Sequence, residues 1–222
     1  MRTARLFLML TLGLVACARD GKALEPIVGL PCEGCEAVFE GLPADRALVP
    51  AASRIAPPGE PREPLVLLGT VRAADGQSAA GVIVYAYQTD SGGIYPRAEA
   101  AAGPASRRHG RLRGFARTGP DGRYRFDTIR PGGYPNTDIP QHVHLHVIES
   151  GRCSYYLDDV VFTDDPRLTP RQREAHTHGR GGQGVVTPRK DAAGTWIAER
   201  DITLGAGISG YDRCASVAMA NR

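Results

Sequence analysis

From Pro64 onward, short apolar runs alternate with glycine- and proline-bearing turns, and this alternation constrains the fold more than any other feature. The run "LVLLGTV" (65–71) is followed by the turn "AADGQ" and then by "GVIVYAY" (81–87). "GRLRGFAR", the turn "GPDG" and "RYRF" repeat the scheme. "HVHLHVIE" (142–149), "YYLDDVVF" (155–162) and "ERDITLG" (199–205) supply later strands. Runs of β-branched and aromatic residues bounded by turn residues form strands. In "PDG" the proline presets φ and the glycine accepts a positive one. No sustained 3.6-residue periodicity competes. The expected fold class is all-β, a β-sandwich core with long loops and few short helices. The helical expectations are one turn in "EAVFEGLP" (36–43) and a short helix in "LTPRQREAHTH" (168–178), with a flexible "GRGGQG" loop (179–184) after it.

The first residues are expected to leave the mature chain. Arg2 and Arg5 precede the apolar stretch "LFLMLTLGLVA", which is too short for a spanning helix and reads as a signal peptide over residues 1–16. It runs into "LVAC", ending at Cys17, which resembles a bacterial lipobox. That resemblance implies cleavage before Cys17 and lipidation of its thiol. The exported protein would then contact a membrane through its lipid, on the periplasmic or cell-surface side. Loss of the two arginines lowers the formal charge from +3 to +1. A nearly neutral chain gives no electrostatic support to nucleic-acid binding, so none is expected. Residues 17–62 read as a lipidated tether and irregular arm, and residues 63–222 as the folded domain.

Cys32, Cys35, Cys153 and Cys214 remain, and in an oxidising compartment they are expected to pair. Three connectivities are open. "CEGC" (32–35) suits a local disulfide, with a transient redox role as the alternative. A zinc half-site lacks its second CxxC.

The chemistry concentrates in "PQHVHLHV" (140–147), which holds three of the chain's six histidines at every second position. On a strand, His142, His144 and His146 share one face and Val143, Leu145 and Val147 the other. Alternating imidazoles on a twisted strand converge on one metal. No nearby carboxylate completes the set, since Asp138 lies at a turn. Two tyrosines occupy special positions instead. Tyr95 ends "SGGIYP" and Tyr134 ends "RPGGYP", each with glycines before it and proline after. Phenolate is a hard anionic donor that suits Fe(III) better than zinc, and a trivalent ion lowers the phenol pKa enough for ligation.

Taken in order, "LVLLGTV…GVIVYAYQTDSGGIYP", "LRGFARTGPDGRYRFDTIRPGGYP" and "PQHVHLHV" resemble the intradiol ring-cleavage dioxygenases of the catechol and protocatechuate type. The resemblance covers about residues 64–204. It implies Fe(III) held by Tyr95, Tyr134, His142 and His144, with Tyr134 doubling as a base for a catechol proton. His146 has no ligand counterpart and is expected to play a supporting or solvent-facing part. The implied partners are a small catechol-type substrate and O₂, and the reading leaves room for a homo-oligomer. In one respect the chain departs from the family. Ile139 stands three residues before the first histidine, where the family pattern has an arginine. Arg113 and Arg130 are the candidates to replace it in space, and Gln141 is a candidate hydrogen bonder. The alternative reading is a non-catalytic sandwich of transthyretin-like or carbohydrate-binding type, with a structural metal or none.

Overall fold

A computed structural model describes residues 25–32, 34–97, 103 and 106–214. The signal-peptide and Cys17 expectations fall outside these residues. In chain order the strands are β1 (Ala52–Arg54), β2 (Pro64–Arg72), β3 (Ile83–Tyr87), β4 (Arg113–Arg117), β5 (Arg123–Ile129), β6 (His142–Glu149), β7 (Cys153–Tyr156), β8 (Val160–Phe162), β9 (Val185–Val186), β10 (Arg189–Lys190), β11 (Trp196–Glu199) and β12 (Ile202–Thr203). The helices α1 (Ser106–His109) and α2 (Pro170–Thr177) are short, and 3₁₀ turns lie at Cys35–Phe39 and Arg46–Leu48.

The strands form two sheets, as the sequence pattern predicts. One runs β1-β5-β2-β11-β10 with β12 also on β2. The other runs β4-β3-β6-β8-β9 with β7 also on β6. Alternation builds the core between them. Leu65, Leu67 and Val71 of β2 and Tyr124 and Phe126 of β5 meet Val84 and Ala86 of β3 and Val143, Leu145 and Val147 of β6 in one buried cluster. Each such aliphatic side chain contributes about 1.5–3 kcal/mol when fully buried.

The second sheet is also covered on its outer face. Val38 and Val49 pack there against Ile83, Tyr85, Tyr87 and Ile148, with Phe39 and Leu42 beside them. The segment read as an irregular arm is therefore, from residue 25, part of the fold. Its β1 pairs with β5, and Ile27 bridges Ser154. The disulfides are Cys32–Cys35 and Cys153–Cys214.

Two expectations are corrected. "YYLDDVVF" is not one strand, because β7 and β8 are separated at Leu157–Asp159, which turns Asp159 toward the histidines. The "GRGGQG" loop is pinned. The fully buried Arg200 donates to the carbonyls of Arg180, Gly181 and Gly182, at 3.3, 3.3 and 3.1 Å. Glycines allow the backbone to crowd a guanidinium whose five donors need acceptors.

Candidate metal centre

Register sets the floor of the site. In the antiparallel β3–β6 pair, Tyr87 lies opposite His144 and Tyr85 opposite His146. Opposed residues share a face, here the outer one, because Val143, Leu145 and Val147 fill the inter-sheet core. The imidazole face is not solvated. His142 and His146 are 5% and 1% exposed. His146 is thus buried, correcting the solvent-facing option.

Two loops bring the tyrosines over this floor. Asp90 Oδ1 accepts from the backbone N–H groups of Gly92 and Ile94, which folds the loop before Tyr95 tightly. Gly132 N–H donates to Asp90 O at 2.8 Å, tying in the loop that carries Tyr134. The backbones then touch. A Cβ on Gly132 would lie 2.6 Å from Ser91 O, and one on Gly93 (φ +79°) would strike Gly133 O. The glycines ahead of each tyrosine are thus required by backbone-to-backbone contact between the two loops.

Four donor atoms converge above β6. Tyr95 Oη lies 2.7 Å from His144 Nε2 and in very short contact with Tyr134 Oη. Tyr134 Oη lies 3.3 Å from His142 Nε2 and 3.5 Å from His144 Nε2. The two Nε2 atoms are 3.2 Å apart. Tetrahedral donors about 2.0–2.1 Å from an ion stand about 3.3 Å apart; the His142, His144 and Tyr134 atoms have that spacing, and Tyr95 Oη stands closer, at hydrogen-bonding distance.

Proton positions strengthen that fit. His142 Nδ1 donates to Pro140 O at 2.7 Å, and His144 Nδ1 to Asp159 Oδ1 at 2.7 Å. Each imidazole therefore carries its proton on Nδ1 and turns an Nε2 lone pair inward. Burial, then the neighbouring His144, lowers the His142 pKa and keeps it neutral. Two lone pairs face each other at 3.2 Å, an arrangement that a cation between them relieves. Burial and the hydrogen bond to Tyr134 push the Tyr95 phenol far up without a metal. A hard cation reverses that shift.

The surroundings hold this geometry. Burial opposes ionisation of Asp159, yet the electrostatic attraction of the neighbouring His144 ring and its hydrogen bond hold the carboxyl well below its ordinary range. Tyr156 Oη also donates to Asp159 Oδ1 in a very short contact. Tyr87 is sandwiched between His109 (centroids 3.8 Å) and His144 (4.3 Å). A cavity of about 370 Å³ opens above, lined by Tyr95, Tyr134, His144 and Tyr87, by Pro31, Cys32 and Gly34 of the N-terminal segment, and by Arg108 and Arg180.

The other candidates named from the sequence are engaged elsewhere. Arg130 chelates Asp164 at 2.9 and 2.5 Å, donates to Gln141 Oε1 at 3.0 Å and packs on Phe162 and Trp196. Arg113 donates to Glu40 O at 3.0 Å. None of Arg113, Arg130 and Gln141 lines the cavity. Ile139 is exposed on its loop. The arginines on the cavity lining are instead Arg108 and Arg180, the latter held by Asp158 at 2.9 Å over the Tyr156 ring. Sequence reasoning missed Asp159, Tyr156, Tyr87, His109 and Arg180. Only the paired aspartates of "YYLDDVVF" carried a signal, as a charge inside an otherwise apolar run.

The family model described as "Dioxygenase" matches residues 43–173, more than half of the 222-residue chain and all four converging residues. The chain belongs to the intradiol dioxygenase family. Over 77 residues this dioxygenase-family chain is 38% identical to catechol 1,2-dioxygenase 1 of Acinetobacter lwoffii, a match covering 35% of this chain and 24% of that protein. It therefore spans about a quarter of that curated relative. Among solved structures it is similar to the dioxygenase domain of a dioxygenase–carbohydrate-binding protein fusion from the cellulolytic bacterium Streptomyces sp. SirexAA-E. There the TM-score is 0.51 and the identity 24%, with 70% and 88% of the two chains covered. Catechol 1,2-dioxygenase from Pseudomonas arvilla C-1 aligns with TM-score 0.53 and 22% identity, over 71% and 58%. At these identities the two structures attest the fold that this family member shares.

Proposed function

We propose that the protein is a non-haem Fe(III) intradiol dioxygenase acting on a catechol-type aromatic. The observation that carries the reading is the pair of inward Nε2 lone pairs, His142 and His144, meeting the phenol oxygens of Tyr95 and Tyr134 at one point beside a cavity. These four residues would hold the iron. When bound, Fe(III) supplies Lewis acidity that activates a coordinated catecholate toward O₂. The bond between the two hydroxyl-bearing carbons breaks, and both oxygen atoms enter a muconate-type diacid, so no external reductant is needed.

The chain's own residues divide the remaining work. Tyr134, half-buried at the end of its loop, makes longer contacts to the histidines than Tyr95 and takes one catechol proton. Asp159 and Pro140 O fix the imidazoles so that their lone pairs stay aimed. Tyr87 and His109, stacked on one another, add aromatic lining to the cavity. Arg180, with Arg108 on the same lining, sets positive charge against an anionic substrate where Ile139 cannot. Pro31, Cys32 and Gly34 narrow the cavity and limit water.

Iron-loaded protein tests this. Ferric tyrosinate absorbs in the visible, so the sample should be red to burgundy, and catechol should shift the band and consume O₂. Tyr95→Phe and Tyr134→Phe should each shift or bleach it. A colourless, iron-free sample after ferric reconstitution would sink the metal assignment. A coloured sample indifferent to a panel of catechols would sink the activity alone. Export and anchoring through Cys17 belong to the same proposal. Cys17→Ala should move the protein from the membrane to the soluble fraction, and an unchanged distribution would refute the anchor.

A further inference from the structure

His146 is the third histidine of the strand, and the tetrad does not use it. It is 1% exposed, and among the described residues its Nε2 has no hydrogen-bond partner. Its hydrogen-bonding neighbour there is Cys35 Sγ, 3.8 Å from Nδ1. An apolar side chain would fill this place without burying two ring nitrogens. The residues facing His146 place Cys32, Cys35 and His146 together, their ligand atoms all within 4.8 Å of one another. Tetrahedral sulfur and nitrogen donors at about 2.3 and 2.0–2.1 Å from zinc stand about 3.6 Å apart, close to the Cys35–His146 separation.

We propose that the Cys32–Cys35 pair is redox-active, and that its dithiol form with His146 Nδ1 is a second metal site, for a thiophilic cation such as Zn²⁺. The disulfide engages both sulfurs, so the oxidised pair and the metal-loaded pair exclude one another. Opening requires a dithiol reductant. One of its thiolates attacks a sulfur of the pair to give a mixed disulfide, and its second thiol resolves that. Two electrons and two protons pass to Cys32 and Cys35, and the reductant leaves as its own disulfide. Cation binding then releases the two thiol protons.

The two disulfides differ in ways that favour selective opening. Cys32–Cys35 spans a sequence separation of 3, and Cys32 lines the cavity. Cys153–Cys214 spans a separation of 61 with both residues fully buried. A short loop recovers little chain entropy, and access governs exchange, so the first pair opens first. Thiolates select soft cations, whereas the tetrad's phenols suit a hard one, so the two sites sort their metals. Because Cys32 faces the cavity, a fourth coordination position would open toward the ligand chamber of the tetrad.

The test uses Cd²⁺, whose thiolate complexes absorb in the near ultraviolet. The tetrad contains no sulfur and cannot produce that band. The folded protein, treated with a mild dithiol that is then removed under anaerobic conditions, should expose two titratable thiols more than the untreated protein. It should bind one equivalent of Cd²⁺ with a thiolate band, and Zn²⁺ should compete. Oxidised protein should give no band. Cys35→Ser should abolish it, and His146→Gln, a substitution of similar volume, should weaken binding at least tenfold, as should His146→Ala. Release of no thiols, or of four together, overturns the proposal. So does a two-thiol protein without the band, or a band to which both His146 variants are indifferent.

Discussion

Asp159 Oδ1 accepts the Nδ1 proton of His144 at 2.7 Å, and the same oxygen takes the Tyr156 hydroxyl. One carboxylate thereby fixes the tautomer of a candidate ligand from behind. Replacing it with asparagine removes the charge and lets the imidazole rotate. Asp159→Asn should lower iron affinity about 10–100-fold, the usual effect of losing such a support. Tyr156→Phe should cost less, because the carboxylate remains. Competitive chelation of the loaded variants measures both, and an Asp159→Asn protein that holds iron like the parent would refute this role.

The contact between the two tyrosine loops is equally specific. Gly132 has no room for a Cβ against Ser91 O and the Gly93 backbone. Gly132→Ala must push the loops apart, separating Tyr95 from Tyr134. We expect destabilisation of about 1–3 kcal/mol from the overpacking, together with loss of most visible absorbance. Urea titration and reconstitution at fixed iron concentration check the two effects. Full colour in this variant would show that the loop contact does not set the ligand geometry.

Arg130 should separate stability from chemistry. It is 5% exposed, chelates Asp164 and lies between Phe162 and Trp196. Arg130→Met leaves Asp164 without its partner, and we expect a loss of about 1–3 kcal/mol. The absorbance of the iron-loaded protein and its response to catechol should not change. Arg180→Gln also gives up an aspartate pair, to Asp158, but should in addition lower kcat several-fold. A spectral change in the Arg130 variant would return that residue to the site.

Acid should weaken the metal-free fold in two stages. Burial, then the neighbouring His144, lowers the His109 pKa from 6.5 to about 4. As pH falls from about 6.5 to about 4, the unfolded chain takes up this proton before the folded one, so stability falls across that window. His142 and His146, also lowered chiefly by burial, act in the same direction. The Asp159 carboxyl is depressed when folded, so its contribution is present above the ordinary carboxylate pKa and fades only as pH falls further. Urea midpoints at pH 7 and 4.5 should differ accordingly, and His109→Gln should shrink the difference. An unchanged difference would show that His109 is not held neutral.

Much of the fold was legible because its signals are local. Alternation on β2, β5 and β6 names the residues that fill the space between the sheets, and the glycine–proline punctuation marks where strands stop. The tyrosines and histidines of the tetrad were legible in the same way, since each sits in a short segment whose residue types are unusual together. The N-terminal segment was not. Its apolar residues show no period, because they cap a face already formed by other strands. The arginine assignment failed for a related reason. Arg113 and Arg130 resemble Arg180 in sequence, and only packing shows that the first two are engaged away from the cavity.

The sequence by itself determined the all-β class, the strand that carries the histidines, the two glycine-tight loops that carry the tyrosines, and four cysteines able to pair. Those properties follow from backbone preference and side-chain alternation within a few residues. The tertiary structure alone decided that Asp159 stands behind His144, that Arg180 rather than Arg113 or Arg130 faces the cavity, and that Cys35 meets His146 across 111 positions of chain. Such contacts join segments distant in the chain, and they exist only once two sheets and their covering loops have packed.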